Sequence, residues 1–193
     1  MQTSAPAELD TPRLRLRRTR LADAEAIFSG FAQDLEVTRY LTWRPHADIG
    51  QTRDFLSGRD AAWARGNDWT WAITLREADT CIGLLGLRLN GANADIGYVL
   101  ARSFWGRGLM SEAVRAVVDW AFTSPAVRRV WATCDVDNVA SARVLEKAGL
   151  TREGILRHWI IHPQISETPR DCFCYATSRS PQEASAGGRR TGA

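Results

Sequence analysis

Two short stretches carry the residues best suited to chemistry. The first runs Asp95-Ile96-Gly97-Tyr98-Val99-Leu100-Ala101-Arg102-Ser103-Phe104-Trp105-Gly106-Arg107-Gly108-Leu109-Met110-Ser111-Glu112-Ala113. Ile96 and Tyr98 alternate as in a strand with one buried face. From Gly108 onward Leu109, Ala113, Ala116, Val117, Trp120 and Ala121 recur at helical spacing. A strand that passes through a glycine loop into a helix presents the unpaired N–H groups of the helix's first turn. Those groups and the helix dipole favour an anion such as a pyrophosphate, and with it a nucleotide-like cofactor. Two glycines alone are also compatible with a plain turn. The loop has neither the Gly-x-x-x-x-Gly-Lys-Ser/Thr spacing of a P-loop nor Gly-x-Gly-x-x-Gly, because Ser111 stands where the third glycine would be.

The second stretch is Cys134-Asp135-Val136-Asp137-Asn138-Val139-Ala140-Ser141-Ala142-Arg143-Val144-Leu145-Glu146-Lys147-Ala148-Gly149-Leu150. Asn138 falls at a strand end, where its amide either bonds a ligand or caps the next helix. Ser141 follows on the same helix face about one turn later. Of the remaining titratable groups, His158 has a suitable intrinsic pKa for a base, and Asp95, at the mouth of its strand, could act through water. A zinc site from Cys172, Cys174, His158 and His162 does not match a common ligand spacing, so no metal is expected.

These motifs need a scaffold, and the chain is long enough for one. Its 193 residues suit one domain with a sizeable core. Hydrophobic residues at 45% and charged residues at 24% are ordinary for a soluble globular chain. A net charge of +3 supports no nucleic-acid partner by itself. No apolar run approaches a membrane span, and Met1–Asp10 lacks the apolar segment of a signal peptide, so the expected setting is cytoplasmic. The four cysteines then read as buried thiols.

Residues 1–8 and 180–193 have little to bury and are expected as tails around a single domain at 9–179. Leu9 to Arg18 reads as a strand, and its alternating Arg13-Leu14-Arg15-Leu16-Arg17 fits a solvated face better than RNA binding. A helix from Asp23 to about Phe31 and another over Thr52 to Ala64 precede strands at Asp68–Leu75 and Cys81–Leu89. After the strand and helix of the first motif come a strand at Arg129–Val136, a helix from Asn138 to Ala148 stopped by Gly149, and strands at Thr151–Ile161 and Asp171–Thr177. This order predicts an α/β fold, one mixed sheet with helices on both faces.

The two motifs, in this order and at this separation, closely resemble the GNAT superfamily of acetyl-CoA-dependent N-acetyltransferases. Within it the chain is similar to the branch that acetylates the N-terminal alanine of ribosomal proteins (the Rim type), from Thr11-Pro12-Arg13-Leu14 to Pro169-Arg170-Asp171. The resemblance implies a mostly antiparallel, twisted central sheet in which Ile96–Leu100 splays from the strand near Val130–Cys134. Its signature Arg/Gln-x-x-Gly-x-Gly/Ala falls on Trp105-Gly106-Arg107-Gly108-Leu109-Met110, with Trp105 and Met110 as departures that backbone donors tolerate. It implies that the backbone of Trp105, Gly106, Arg107, Gly108, Leu109, Met110 and Ser111 holds the CoA pyrophosphate. Val99 and Leu100 would pair with the pantetheine arm, and Asn138 would contact it from the other side.

The implied chemistry is direct attack of a neutral amine on the thioester, driven by proximity and orientation. A backbone N–H near Val99 would steady the oxyanion. Many relatives use a tyrosine on the late helix as the acid, and Leu145 occupies that place here. Ser141 is therefore the candidate acid, with a surface or capping hydroxyl as the alternative. Relatives can carry a glutamate base shortly after Glu153-Gly154, but Ile155-Leu156-Arg157-His158-Trp159-Ile160 offers none, which leaves His158 and Asp95.

A site without a strong base favours an acceptor that is already partly neutral. An α-amine of pKa about 7.7–8.0 is roughly one-tenth neutral at pH 7, whereas a lysine near 10.4 is neutral in only about one copy in 2,500, a handicap of roughly 4.6 kcal/mol. The acceptor is therefore expected to be a protein or peptide N-terminus. A small-molecule amine (polyamine, amino acid or antibiotic) is the alternative within enzymes, and a non-catalytic acyl-CoA-binding protein the alternative outside them. Tyr40, Trp43, Trp69 and Trp71 are the candidate acceptor-binding aromatics, with core packing as their other reading. Both a monomer and a homodimer are compatible with this sequence.

Overall fold

The computed structural model describes residues 4–179. Strands β1 (Glu8–Asp10), β2 (Leu14–Arg18), β3 (Asp68–Leu75), β4 (Gly83–Asn90), β5 (Asn93–Leu100), β6 (Arg129–Asp135), β7 (Thr151–Ile160) and β8 (Arg170–Ser178) form one sheet in the order β1-β2-β3-β4-β5-β6-β8-β7. Every neighbouring pair is antiparallel except β5 and β6. Helices α1 (Ala24–Ile27, continuing as a wide turn to Ala32), α2 (Leu35–Thr38), α3 (Ile49–Ala64), α4 (Leu109–Ala121) and α5 (Val139–Lys147) complete the α/β fold.

The sheet is covered on both faces, which explains why β3 reads as a nearly continuous apolar run rather than an alternating one. On one face α4 presents Leu109, Ala113, Val114, Val117 and Val118 to Trp69, Trp71, Leu85, Leu87, Ile96 and Val130. On the other, Ile27 and Phe31 from the α1 segment and Leu56 from α3 pack on Ala72, Leu84 and Val99. Trp69 and Trp71 are 1% and 0% exposed and stand edge-on to Trp120. They are core residues, which corrects their reading as acceptor aromatics. An indole is large enough to fill the space between sheet and helix, and that burial outweighs any role in an open cleft.

Three of the differences from the expected boundaries have a clear local reason. The single strand expected over Leu9 to Arg18 is a hairpin, because Thr11 Oγ1 accepts from the Leu14 N–H at 2.9 Å and turns the chain next to Pro12. Residues 5–8, expected as part of a tail, belong to the fold: Ala5 is buried, the Pro6 carbonyl accepts from the Trp71 indole at 3.1 Å, and Glu8 starts β1. The second helix begins at Ile49 rather than Thr52, because the Asp48 carboxylate caps the Gln51 N–H. Residues 1–3 and 180–193, the rest of the expected tails, lie outside the described residues. No helix among the described residues is long and apolar enough to cross a membrane.

Candidate active site

The strands β5 and β6 begin side by side and then part. Their pairing runs through Asn93↔Arg129, Ala94↔Val130 and Asp95↔Trp131 and ends there, although β5 continues to Leu100 and β6 to Asp135. The result is a V in the middle of the sheet, with Val99 and Asp135 on opposite arms, each four residues beyond the last pair. Unpaired backbone on the inner side of β5 is an edge on which an extended ligand can add as a strand. Beside Gly97 an added Cβ would meet nothing within 4 Å, so the strand is open there. Gly83 does the opposite. A Cβ on it would lie 2.5 Å from the Val99 carbonyl, so glycine is what lets β4 support the free arm this closely.

Beyond β5 a short turn at Arg102–Phe104 leads into the glycine loop. Gly106 and Gly108 both have φ of 72°, the left-handed region that a side chain disfavours, and Gly108 is the N-cap of α4. No side chain caps that helix, so its first-turn amides are left for a ligand. The loop is held from behind. Glu112, in the first turn of α4, accepts from Thr11 Oγ1 at 2.6 Å, the Arg13 N–H at 2.9 Å and Arg13 Nε at 2.7 Å, while Arg13 Nη1 donates to the Arg107 carbonyl at 2.9 Å. Trp105 folds back on β5, its indole N–H donating to the Leu100 carbonyl at 2.7 Å. Leu109, Met110 and Ser111 are buried at the helix start, so any contact they make with an anion is through backbone.

Four side chains gather on the α5 side of the V. The Asn138 side chain caps α5 by accepting from the Ser141 N–H at 3.1 Å, which makes its capping role concrete. Ser141 Oγ lies 2.8 Å from the hydroxyl of Tyr98 on β5. The Cys134 thiol on β6 is next to Ser141, and burial pushes it up to about 12, with the hydrogen bond from Ser141 opposing that shift. Burial likewise pushes the Tyr98 hydroxyl far above its ordinary value. Both groups are therefore neutral at pH 7.

The opposite side collects the acceptor candidates. Tyr40 stands edge-on to His162, with ring centroids 6.1 Å apart, and Trp43 tilts against His46 at 4.9 Å. Asp34, just before α2, reaches across to Arg102 at 2.9 Å, and Gln164 donates to Thr38 Oγ1 at 2.7 Å, so α2 and the 161–169 loop lean over the open end of the V. At the tip of β6, the fully buried Asp135 carboxylate accepts from Arg170 at 2.6 and 3.0 Å, and His162 Nε2 is 3.5 Å away. Burial pushes Asp135 up, but hydrogen bonds from Arg170 and the Asp137 N–H and the nearby positive charge outweigh it and hold the carboxyl below its ordinary value. Tyr98 and Asp135 are not among the residues that spacing singles out, and His162 enters there only in a zinc set that its spacing disfavours. Tyr98 was visible only as the buried side of a strand, and the other two meet through a long-range contact that spacing does not reveal.

The two expected bases are not brought to the V in the same way. Asp95 sits at its closed end and pairs with Arg88 at 2.6 Å. His158 lies on the outermost strand β7, separated from β6 by β8, exposed, and with φ of 48° at a bulge. Its backbone N–H donates to Asp171 at 2.9 Å. The structure does not bring His158 to the site, because the strand order, which sequence alternation does not encode, puts β7 at the edge.

A split sheet whose free strand runs into a glycine loop and an uncapped helix is the layout that the resemblance implied. A family model described as Acetyltransferase (GNAT) domain matches residues 13–151. The N-acetyltransferase p20 of Bacillus licheniformis is 34% identical over 154 residues, 78% of this chain and 86% of its own. The crystal structure of a GNAT-family acetyltransferase from Bacillus anthracis is 25% identical, with a TM-score of 0.77 over 89% of this chain and 98% of that one. RimL, a ribosomal-protein α-N-acetyltransferase solved with coenzyme A, shares the fold at 24% identity, with a TM-score of 0.75 over 90% of this chain and 96% of its own. The chain belongs to the GNAT acetyltransferase family, whose enzymes use acetyl-CoA.

Proposed function

We propose that the protein transfers the acetyl group of acetyl-CoA directly to the α-amine of a polypeptide N-terminus. The observation that carries this reading is the V between β5 and β6, with a neutral hydroxyl pair on one wall and covering segments over its open end. In this reading the amides from Trp105 to Ser111 seat the pyrophosphate. The backbone of Leu100 and Tyr98, which faces the V, pairs with the pantetheine, while Val99, expected in that role, turns its backbone to Leu84 of β4. Asn138 borders the arm from the β6 side while capping α5. A pantetheine laid along β5 puts the thioester near Val99, but the Val99 backbone pairs with Leu84 of β4, so the N–H that faces the V there, and would stabilise the oxyanion, is that of Leu100. Ser141 then gives the leaving sulfur its proton.

Cys134 lies close enough to raise the possibility of an acetyl-cysteine intermediate. Burial argues against it, since a thiol pushed up to about 12 is almost wholly protonated at pH 7 and a poor nucleophile. Direct attack remains. For the acceptor, Asp95 is tied to Arg88 and Asp135 to Arg170, so neither carboxylate is free to deprotonate a lysine ammonium. An α-amine, already partly neutral, needs far less help. RimL acts on an α-amine by its name, and its shared fold is consistent with this choice.

The test is release of free CoA thiol from acetyl-CoA against a panel of N-terminal peptides, lysine peptides with blocked N-termini, and small amines. N-terminal peptides are expected to be turned over fastest. Faster turnover of lysine side chains or of polyamines than of matched N-terminal peptides would overturn the acceptor assignment.

A further inference from the structure

One contact crosses the V on the side where the leaving thiol would lie. Tyr98 comes from β5 and Ser141 from α5, the helix that follows β6, so their hydroxyls join the two arms at 2.8 Å. The same Tyr98 hydroxyl is 3.2 Å from the Ser141 carbonyl, a longer and weaker alternative for its one proton. The Tyr98 ring packs with the core beneath α4, together with Ala142 and Leu145 of α5. Phenylalanine would serve that packing equally well. The hydroxyl therefore needs its own reason, and the partner it reaches is the serine proposed above as the acid.

We propose that Tyr98 is a positioning residue for acetyl transfer: its hydroxyl donates to Ser141 Oγ and so aims the serine's own proton at the departing sulfur. This rests on the function proposed above. The step balances as follows. The amine nitrogen bonds to the acetyl carbon, the C–S bond breaks with its electron pair on sulfur, the Ser141 proton passes to sulfur, and Ser141 recovers a proton from the nitrogen. Net, one proton moves from acceptor nitrogen to CoA thiol. Tyr98 stays protonated throughout, in keeping with its burial. Its contribution is orientation of a hydroxyl that otherwise rotates freely.

Tyr98→Phe tests this, because it removes the hydroxyl and keeps the packed ring. With acetyl-CoA and a good acceptor, kcat is expected to fall at least about tenfold, while KM for acetyl-CoA, CoA affinity by calorimetry and the melting temperature hold steady. Tyr98→Phe combined with Ser141→Ala is expected to be no slower than Ser141→Ala alone, because the tyrosine acts only through the serine. A Tyr98→Phe enzyme within twofold of wild-type kcat overturns the proposal, as do multiplicative losses in the double variant. So does a loss that appears in CoA affinity rather than kcat, which is what a purely structural role would give. If wild-type protein releases no thiol with any amine, the proposed function itself fails and this inference fails with it; a wild-type enzyme that works beside an equally active Tyr98→Phe variant sinks the inference alone.

Discussion

The hydroxyl of Ser141 is held at both ends of its residue: the backbone N–H by the Asn138 cap, the side chain by Tyr98. Those two contacts fix the orientation of the side chain proposed as the acid. Ser141→Ala is expected to lower kcat by about 10²-fold or more, in the usual range for removing a general acid, with CoA affinity by calorimetry nearly unchanged. Full turnover in the variant would remove Ser141 from the mechanism. The neighbouring Cys134 illustrates how a nominally reactive side chain is silenced by its environment, since burial and the nearby Cys172 and Asp135 outweigh the hydrogen bond from Ser141.

At the scale of elements, the glycine loop owes its position to a brace that joins the β1–β2 turn to the first turn of α4. Glu112 gathers Thr11 and Arg13, and Arg13 grips the Arg107 carbonyl. Burial pushes the Glu112 carboxyl up, but the hydrogen bonds from Thr11 and Arg13 outweigh it, so its folded value lies below the ordinary one. The sign follows from that direction. Ionised Glu112 stabilises the fold above the unfolded value of about 4.3, and the contribution is lost as pH falls through the folded value. Glu112→Gln is expected to melt below wild type at neutral pH, and the gap should close as pH drops below about 4. A gap that widens on acidification would contradict this. The same variant should bind CoA more weakly at pH 7, because the loop loses its backing.

For the whole molecule, the tryptophans divide between the core and the periphery. Trp69 and Trp71 anchor the sheet beneath α4, while Trp43 sits half-buried against His46 and Trp105 is exposed beside the glycine loop. Trp71→Ala is expected to cost about 3–5 kcal/mol of stability by denaturant titration, with the acceptor KM of the folded fraction unchanged. A large rise in that KM without loss of stability would restore Trp71 to the acceptor site. The β5–β6 split is likewise a property of the assembled sheet, since it needs β4 on one side and β8 on the other to hold the two arms apart.

Local structure and family membership are both written in short runs of residues. Glycines at 106 and 108, the apolar spacing of α4, the Asn138 cap and the Gly149 stop act within a few residues, through backbone strain and hydrogen bonds that any reader of the chain can locate. Much of β3, α4, β6, α5 and β8 was legible on those grounds. Which polar groups meet depends instead on the folded arrangement of the strands. Tyr98 reaches Ser141 over 43 positions, Arg170 reaches Asp135 over 35, and His158 ends on the outer edge although it lies close in sequence to His162. Strand order sets those distances, and it is fixed by how all the elements share one core, a collective property that no short window of residues contains.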